Sequence, residues 1–104
     1  MYVDDLADAC IYFLNKKTKE TLINVGTGHD LSILNYAKFI LKQMNLKCKI
    51  VLNRSKPDGV LRKIIDSSIA NRYGWFPKVD LKEGFLRTYN YYVSSVKKNN
   101  FKKS

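Results

Sequence analysis

Hydrophobic positions in the first half of the chain have the spacing of two amphipathic helices separated by a short apolar run. Residues 5–15 and 33–45 carry apolar side chains at steps of three and four, which predicts a helix in each segment. Ser32 precedes the second helix and is a good N-cap, since its hydroxyl can accept a hydrogen bond from an unpaired amide of the first turn. The apolar residues 21–25 are predicted to form a short strand.

The second half continues this alternation with shorter elements. Residues 49–52 and 62–65 are predicted to be strands. Ser67 or Ser68 is predicted to cap a short helix that ends at Gly74, because glycine readily takes the left-handed conformation that closes a helix. Helices that alternate with short strands are typical of an α/β fold.

The last helix is expected to begin at a capping box formed by Asp80 and Glu83. Its apolar periodicity runs from residue 81 to residue 96. Residues 97–104 are basic and lose the periodicity, so this tail is predicted to fray. The expected organisation is one folded unit, residues 1–96, followed by the tail.

Each long predicted helix has an apolar stripe that is expected to face a core. Cys10 belongs to the first stripe and is expected to be a small core residue. The stripes consist of Val3, Leu6, Ala7, Cys10 and Leu14 in the first helix, of Ile33, Ala37, Ile40, Leu41 and Met44 in the second, and of Leu81, Phe85, Tyr89, Tyr92, Val93 and Val96 in the last.

Composition changes this picture mainly through charge. The 104 residues are 45% hydrophobic, which is ordinary for a globular domain, and no apolar run approaches the roughly 20 residues that cross a membrane. The acidic start argues against a secretory signal, so a cytoplasmic location is expected. Asp4, Asp5 and Asp8 are attributed to a favourable interaction with the helix dipole.

The net charge of +10 suits an anionic partner, but lysines scattered along the whole chain favour a compositional bias instead.

Three patterns resemble catalytic or cofactor-binding motifs and are better explained otherwise. Gly26-Thr27-Gly28 lies between a predicted strand and a helix, but Leu31 replaces the third glycine of a dinucleotide-binding turn, so a plain tight turn is expected. Tyr12 and Lys16 have the spacing of a dehydrogenase pair without a serine partner. His29 has no neighbours at metal-ligand spacing. No catalytic, cofactor-binding or metal-binding residue is therefore expected in this chain.

The segment from Ser55 to Asp66 is the strongest candidate site. A proline and a glycine stiffen it, and Lys56, Arg62 and Lys63 place three cations within it. Cations on a stiff loop suit a diphosphate, because lysine supplies a point charge and arginine a two-pronged donor. Asp58 can accept hydrogen bonds from sugar hydroxyls. A solvated turn with scattered charges explains the composition equally well.

These segments, in their order and spacing, resemble the carboxy-terminal third of GDP-L-fucose synthases, which are extended short-chain dehydrogenases/reductases. Val-Asp-Asp at residues 3–5 and Asn-x-Gly-Thr-Gly at residues 24–28 are shared by many extended nucleotide-sugar epimerases. Ser-Lys-Pro-Asp-Gly followed by Arg-Lys, at residues 55–63, is more specific to the fucose synthases, although Leu61 replaces the usual proline. The resemblance extends to about residue 95.

The resemblance implies that residues 1–96 are the substrate-binding subdomain of such an enzyme, whose reaction is the epimerisation and NADPH-dependent reduction of GDP-4-keto-6-deoxymannose. It implies that Asp58 is a ligand of the substrate, and that Lys56 and Lys63 contact the nucleotide and its diphosphate. Arg62 is the fourth candidate substrate-binding residue.

The family's Rossmann half, its NADP site and its catalytic residues precede the Val-Asp-Asp motif and do not occur in this sequence. The chain alone is therefore expected to be an inactive fragment with no cofactor of its own. The expected partners are a GDP-sugar, a separate Rossmann-fold chain and a second copy in a homodimer. A small basic nucleic-acid-binding module is the alternative, since Tyr89, Tyr91 and Tyr92 lie near the basic tail.

Overall fold

Four helices account for the regular structure in the described part of the chain. The computed structural model describes the backbone of residues 1–59 and 62–103, and the side chains of this part as far as residue 99. The helices are α1 (Val3–Leu14), α2 (Ile33–Gln43), α3 (Ser68–Arg72) and α4 (Leu81–Lys103). Each predicted helix is present, and α4 continues beyond Val96 into the basic segment.

Both ends of α2 are closed by local hydrogen bonds. The Ser32 hydroxyl accepts from the Asn35 amide at 3.1 Å, which confirms the predicted N-cap. At the other end Asn45 adopts a φ of 53°, and the amides of Asn45 and Leu46 donate to the carbonyls of Lys42 and Leu41. This pair of bonds is a Schellman motif, with asparagine in the left-handed position that glycine usually takes.

The C-terminus of α3 has the same closure. Gly74 has a φ of 92°, its amide donates to the Asn71 carbonyl, and the Trp75 amide donates to the Ala70 carbonyl. A Cβ at Gly74 would also lie 2.9 Å from the Tyr12 hydroxyl oxygen, so glycine is required for two reasons. The predicted glycine cap is confirmed, and the chain leaves it with the Trp75 side chain turned back against α3.

The predicted N-caps of α3 and α4 are only partly right. The side chain of Ser67 does not cap α3; the Asp66 carboxylate accepts from the Ser68 amide at 2.9 Å instead. Asp80 caps α4 by accepting from the Glu83 amide at 2.8 Å, as predicted. The Glu83 carboxylate pairs with Arg87 one turn later, at 2.7 Å, and so does not complete a capping box.

The three predicted strands are not formed in the part of the chain that the structure describes. Residues 21–25, 49–52 and 62–65 have irregular backbone, so the α/β architecture is visible here only through its helices. A strand exists only where a neighbouring strand accepts and donates its ladder hydrogen bonds. None of these segments lies in a ladder with another described segment, and apolar alternation alone could not supply one.

A small core joins α1 to α3. Ala9, Ala70 and Trp75 are almost fully buried, and the half-buried Tyr12 and Phe13 pack against them together with Ile23 and Val25. Small residues on the two helices leave room for the indole between them. The Tyr12 hydroxyl donates to the Tyr73 carbonyl, which holds α1 to the end of α3.

Two carboxylates of α1 bind the segment that follows α3. Asp5 is 3% exposed, and its two oxygens accept from the amides of Lys78 and Val79 at 3.1 and 3.0 Å. Asp8 accepts from the Trp75 indole nitrogen at 3.1 Å. Asp5 and Asp8 therefore do more than interact with the helix dipole: they hold the segment after α3 against α1. The sequence did not indicate this role, because their hydrogen-bond partners lie more than 60 residues away.

The predicted stripe of α1 does not face this core. Val3, Leu6, Cys10 and Leu14 are exposed, and the buried residues Asp5 and Ala9 lie on the opposite side of the helix. The expectation that Cys10 is a core residue is therefore wrong for this chain. The stripe of α4 is also largely exposed, with Leu81 at 47%, Tyr89 at 38% and Tyr92 at 64%.

The solvent-accessible surface area of the chain is also large, in agreement with these exposed apolar stripes. The chain exposes 9262 Å², whereas a compact monomer of 12.1 kDa exposes about 6,000 Å². Many residues of the apolar stripes that were predicted to face a core are therefore exposed to solvent. The described helices include none long and apolar enough to span a membrane.

We expect Asp5→Ala to lower the free energy of unfolding by about 3 kcal/mol, because it leaves two partly buried amides without an acceptor. Urea unfolding followed by circular dichroism measures this difference. Asp4→Ala is the matched control, since Asp4 lies in the same turn and is exposed. The control should stay within about 1 kcal/mol, the usual scale of a helix-dipole interaction. Equal losses in the two variants would contradict the role assigned to Asp5.

Candidate functional site

The candidate site is the loop that connects α2 to α3, together with the turn that precedes α2. The loop begins with a local turn, in which the Asn53 side-chain oxygen accepts from the Ser55 amide at 3.2 Å and from the Ser55 hydroxyl at 2.6 Å. Such a turn reverses the backbone with little need of tertiary contacts. It places the following residues, including Lys56 and Asp58, on the surface.

All four predicted binding residues are exposed to solvent, and they differ in whether they have a partner. Lys56, Asp58 and Lys63 are exposed, and none of them has a hydrogen-bond or ion-pair partner among the described residues. Long cationic side chains without an internal partner can turn towards an anion at no cost in broken contacts. Their role as substrate ligands stays a prediction, and their accessibility is compatible with it.

Arg62, the fourth predicted residue, is held by a carboxylate that the sequence did not single out. Its Nε atom lies 2.8 Å from one oxygen of Asp30, and its Nη2 atom lies 2.9 Å from the other. The side-chain hydrogen bonds of this pair lower the pKa of Asp30 below its ordinary value and raise the pKa of Arg62. Both groups therefore remain charged at neutral pH, and the pair connects the loop to the turn before α2.

Gly26 provides a second connection between the same two segments. Its carbonyl accepts from the buried Ser67 hydroxyl at 3.0 Å, and a Cβ at Gly26 would lie 3.3 Å from the Ile65 Cβ and 3.4 Å from the Ser67 oxygen. The absent side chain lets the two backbones approach closely. Gly28, with a φ of 76°, then turns the chain towards α2.

These contacts decide how the Gly26-Thr27-Gly28 motif is used. In a dinucleotide-binding turn the first glycine makes the tight turn, the second lets the backbone approach the pyrophosphate, and the third lies under the following helix. Here Gly26 is buried against Ile65 and Ser67, and the third position is Leu31. The motif therefore departs from a dinucleotide-binding turn at its third position, and it forms the tight turn expected from the sequence.

A shallow cavity of about 320 Å³ lies beside this connection. Its walls are both apolar and polar, and it is next to Lys63 along the chain without including that residue. The four predicted binding residues do not line it. It is lined by Gly28, Ile64, Ile65, Asp66, Ser67, Ser68 and Asn71.

The other candidate groups take no part in a reactive arrangement. The Tyr12 hydroxyl is engaged with the Tyr73 carbonyl, and Lys16 lies over the Tyr12 ring, with its Nζ atom 5.8 Å from the centroid. His29 uses its backbone in a turn with Thr27. Within the described residues, no group of three His, Cys, Asp or Glu side chains is placed to hold a metal ion.

Comparison with known proteins gives one consistent set of relatives, although no family model matches the chain. A probable GDP-L-fucose synthase from Oryza sativa subsp. japonica is 42% identical over 96 residues, which cover 92% of this chain and 29% of the relative. The chain thus spans less than a third of the length of this curated relative.

Two solved structures of reductases from Campylobacter jejuni have the same fold over this segment. A GDP-6-OMe-4-keto-L-xylo-heptose reductase superposes with a TM-score of 0.77 at 33% identity, covering 88% of this chain and 29% of its own. A GDP-mannoheptose C4 reductase with NADP bound superposes with a TM-score of 0.68 at 35% identity, covering 86% and 29%. The chain matches the carboxy-terminal part of its relatives.

Proposed function

Because the chain is a homologue of the carboxy-terminal part of GDP-L-fucose synthases and GDP-mannoheptose reductases, which are extended short-chain dehydrogenases/reductases, we propose that it binds a GDP-sugar. The substrate that we propose is GDP-4-keto-6-deoxymannose, which is epimerised and reduced with NADPH in the fucose synthases. The observation that carries the proposal is the exposed set of Lys56, Asp58 and Lys63 on a loop anchored at Arg62.

The charges of the loop suit the two parts of such a ligand. Lys56 and Lys63 supply ammonium groups for a diphosphate, and a diphosphate carries its charge on oxygens that accept several hydrogen bonds at once. Asp58 is the only acidic residue between them, and it can accept from ribose or sugar hydroxyls. The relatives' names support the choice of a GDP-sugar among phosphorylated small molecules. Neither these relatives nor the structure supports a nucleic-acid-binding module.

We also propose that a Rossmann-fold half packs against this chain, and the exposed apolar surface supports this second proposal. The stripe of α1 and the segments without ladder partners would be covered by the cofactor-binding Rossmann half of the same enzyme. In the relatives, this chain accounts for about a third of the length, so there is ample polypeptide to cover that surface. The NADP of the family would bind to that half, because Leu31 replaces the third glycine of a dinucleotide-binding turn in this chain.

We expect Lys63→Ala to weaken the binding of GDP to this chain by about tenfold, the usual consequence of losing one charge-assisted hydrogen bond. Isothermal titration calorimetry measures the change. Lys82→Ala is the control, because Lys82 is also exposed but lies on α4, outside the loop. Unchanged affinity in Lys63→Ala, or equal losses in both variants, would contradict the proposed site.

The 104 residues alone are expected to consume no NADPH in the presence of GDP-4-keto-6-deoxymannose. Hydride transfer requires that a protein orient the cofactor against the substrate, and the glycine motif of residues 26–28 lacks the third glycine of a dinucleotide-binding turn. The absorbance of NADPH at saturating substrate is the measurement. Turnover above background by rigorously purified chain would overturn this part of the proposal.

In isolation, the uncovered apolar surface should make the chain self-associate as a symmetric dimer. Raising the salt concentration should favour the dimer, because it screens repulsion between copies that each carry a net charge of +10. Sedimentation equilibrium at two salt concentrations tests this. Replacing Leu6 and Leu14 by Gln should weaken association, whereas Tyr91→Ser on exposed α4 surface should not. A monomer under all these conditions would show that the α1 stripe needs no partner.

A further inference from the structure

The Asp30–Arg62 pair differs from the other ion pairs of the described residues in its geometry. Two parallel hydrogen bonds of 2.8 and 2.9 Å join it, whereas Lys78 approaches Asp8 through one contact of 3.9 Å. The Arg62 side chain is 66% exposed and that of Asp30 is 30% exposed. Most exposed ion pairs contribute little, but two-pronged arginine–carboxylate pairs are the exception because both groups are fixed in one plane.

The pairing uses only one edge of the guanidinium. The two bonds come from Nε and Nη2, which form the side edge of the group. A guanidinium has five N–H donors, so three remain, and the end formed by Nη1 and Nη2 still presents two of them side by side. That end matches two oxygens of a phosphate, and a phosphate can bind there while the carboxylate keeps its place.

We propose that Asp30 is a positioning residue, which orients Arg62 so that the free end of its guanidinium binds the diphosphate of the substrate. This inference rests on the proposed function, since it needs a diphosphate at the loop. Asp30 comes from the turn before α2, and Arg62 comes from the loop 32 residues later, so the pair also fixes the side chain relative to Gly26 and Ser67.

Two opposite effects of Asp30 on anion binding must be weighed. The negative charge of Asp30 offsets the positive charge of Arg62, which would weaken anion binding. Its hydrogen bonds restrict the Arg62 side chain before the anion binds, which would strengthen binding. At an exposed site the high dielectric constant of water weakens the first effect. The second is not screened, because an arginine without a partner loses its rotamer freedom only when the ligand binds. Orientation therefore outweighs charge at this position.

The test is a double-mutant cycle on the whole chain with GDP and guanosine as probes. Asp30→Ala and Arg62→Ala are each expected to weaken GDP binding by about tenfold, and the double variant is expected to be no weaker than Arg62→Ala alone. Guanosine, which has no diphosphate, should bind equally to all of them. A merely structural role for Asp30 would change the binding of both probes.

Asp30→Asn provides a second comparison that preserves the shape of the side chain. It keeps one acceptor oxygen and loses the charge, so GDP affinity should lie between that of wild type and that of Asp30→Ala. The NMR signal of the Arg62 Nε–H group, which the Asp30 carboxylate should protect from exchange in the free wild-type chain, should lose that protection in Asp30→Ala. Circular dichroism confirms that each variant is folded.

Each contrary result has a distinct meaning. Tighter GDP binding by Asp30→Ala would show that Asp30 competes with the ligand, and unchanged binding would show that Arg62 needs no support. Either result overturns the positioning role while leaving the GDP site in place. Absence of GDP binding by the wild-type chain would overturn the proposed function and the positioning role together.

Discussion

Burial of the Asp5 side chain determines how the segment after α3 lies against α1. A buried ion is tolerated only when its oxygens are hydrogen-bonded, and here two successive backbone amides satisfy them. The requirement fixes residues 78 and 79 against the first turn of α1, and therefore fixes where α4 begins. The Asp8–Trp75 bond fixes the other end of the same connection. A core of only a few buried side chains is held in place by polar contacts of this kind.

Several local features of this fold could be predicted from the sequence, although Ser67 does not cap α3 and Glu83 does not complete a capping box. The long-range contacts could not be predicted. Ser32, Gly74 and Asp80 close or open helices through bonds that span a few residues, so residue type and position were sufficient. The Asp30–Arg62 pair spans 32 residues, and nothing in the spacing of the charges indicates it. The three cations of the loop made Arg62 a candidate ligand, and the structure shows that the Asp30 carboxylate holds its side chain.

The apolar periodicity of α1 was read correctly as a stripe but assigned to the wrong surface. Periodicity reports that a helix has an apolar face, and it does not report which polypeptide covers that face. In this chain the opposite side of α1, with Asp5 and Ala9, meets the core, and the stripe is left outside. The same reasoning applies to the predicted strands, whose apolar residues need ladder partners that the described segments do not provide. Both errors have one cause, which is that burial was inferred from the periodicity of single segments.

The position of the candidate site follows from two connections between the same pair of segments. The Gly26–Ser67 hydrogen bond and the Asp30–Arg62 pair both join residues 26–30 to residues 62–67. Lys63 lies between Arg62 and Ser67, whose side chains make these two contacts, and its own side chain is exposed. Lys56 and Asp58 lie in the part of the loop beyond these anchors. A ligand at the proposed site would meet an arginine held by a two-pronged ion pair, together with the exposed side chains of Lys56, Asp58 and Lys63.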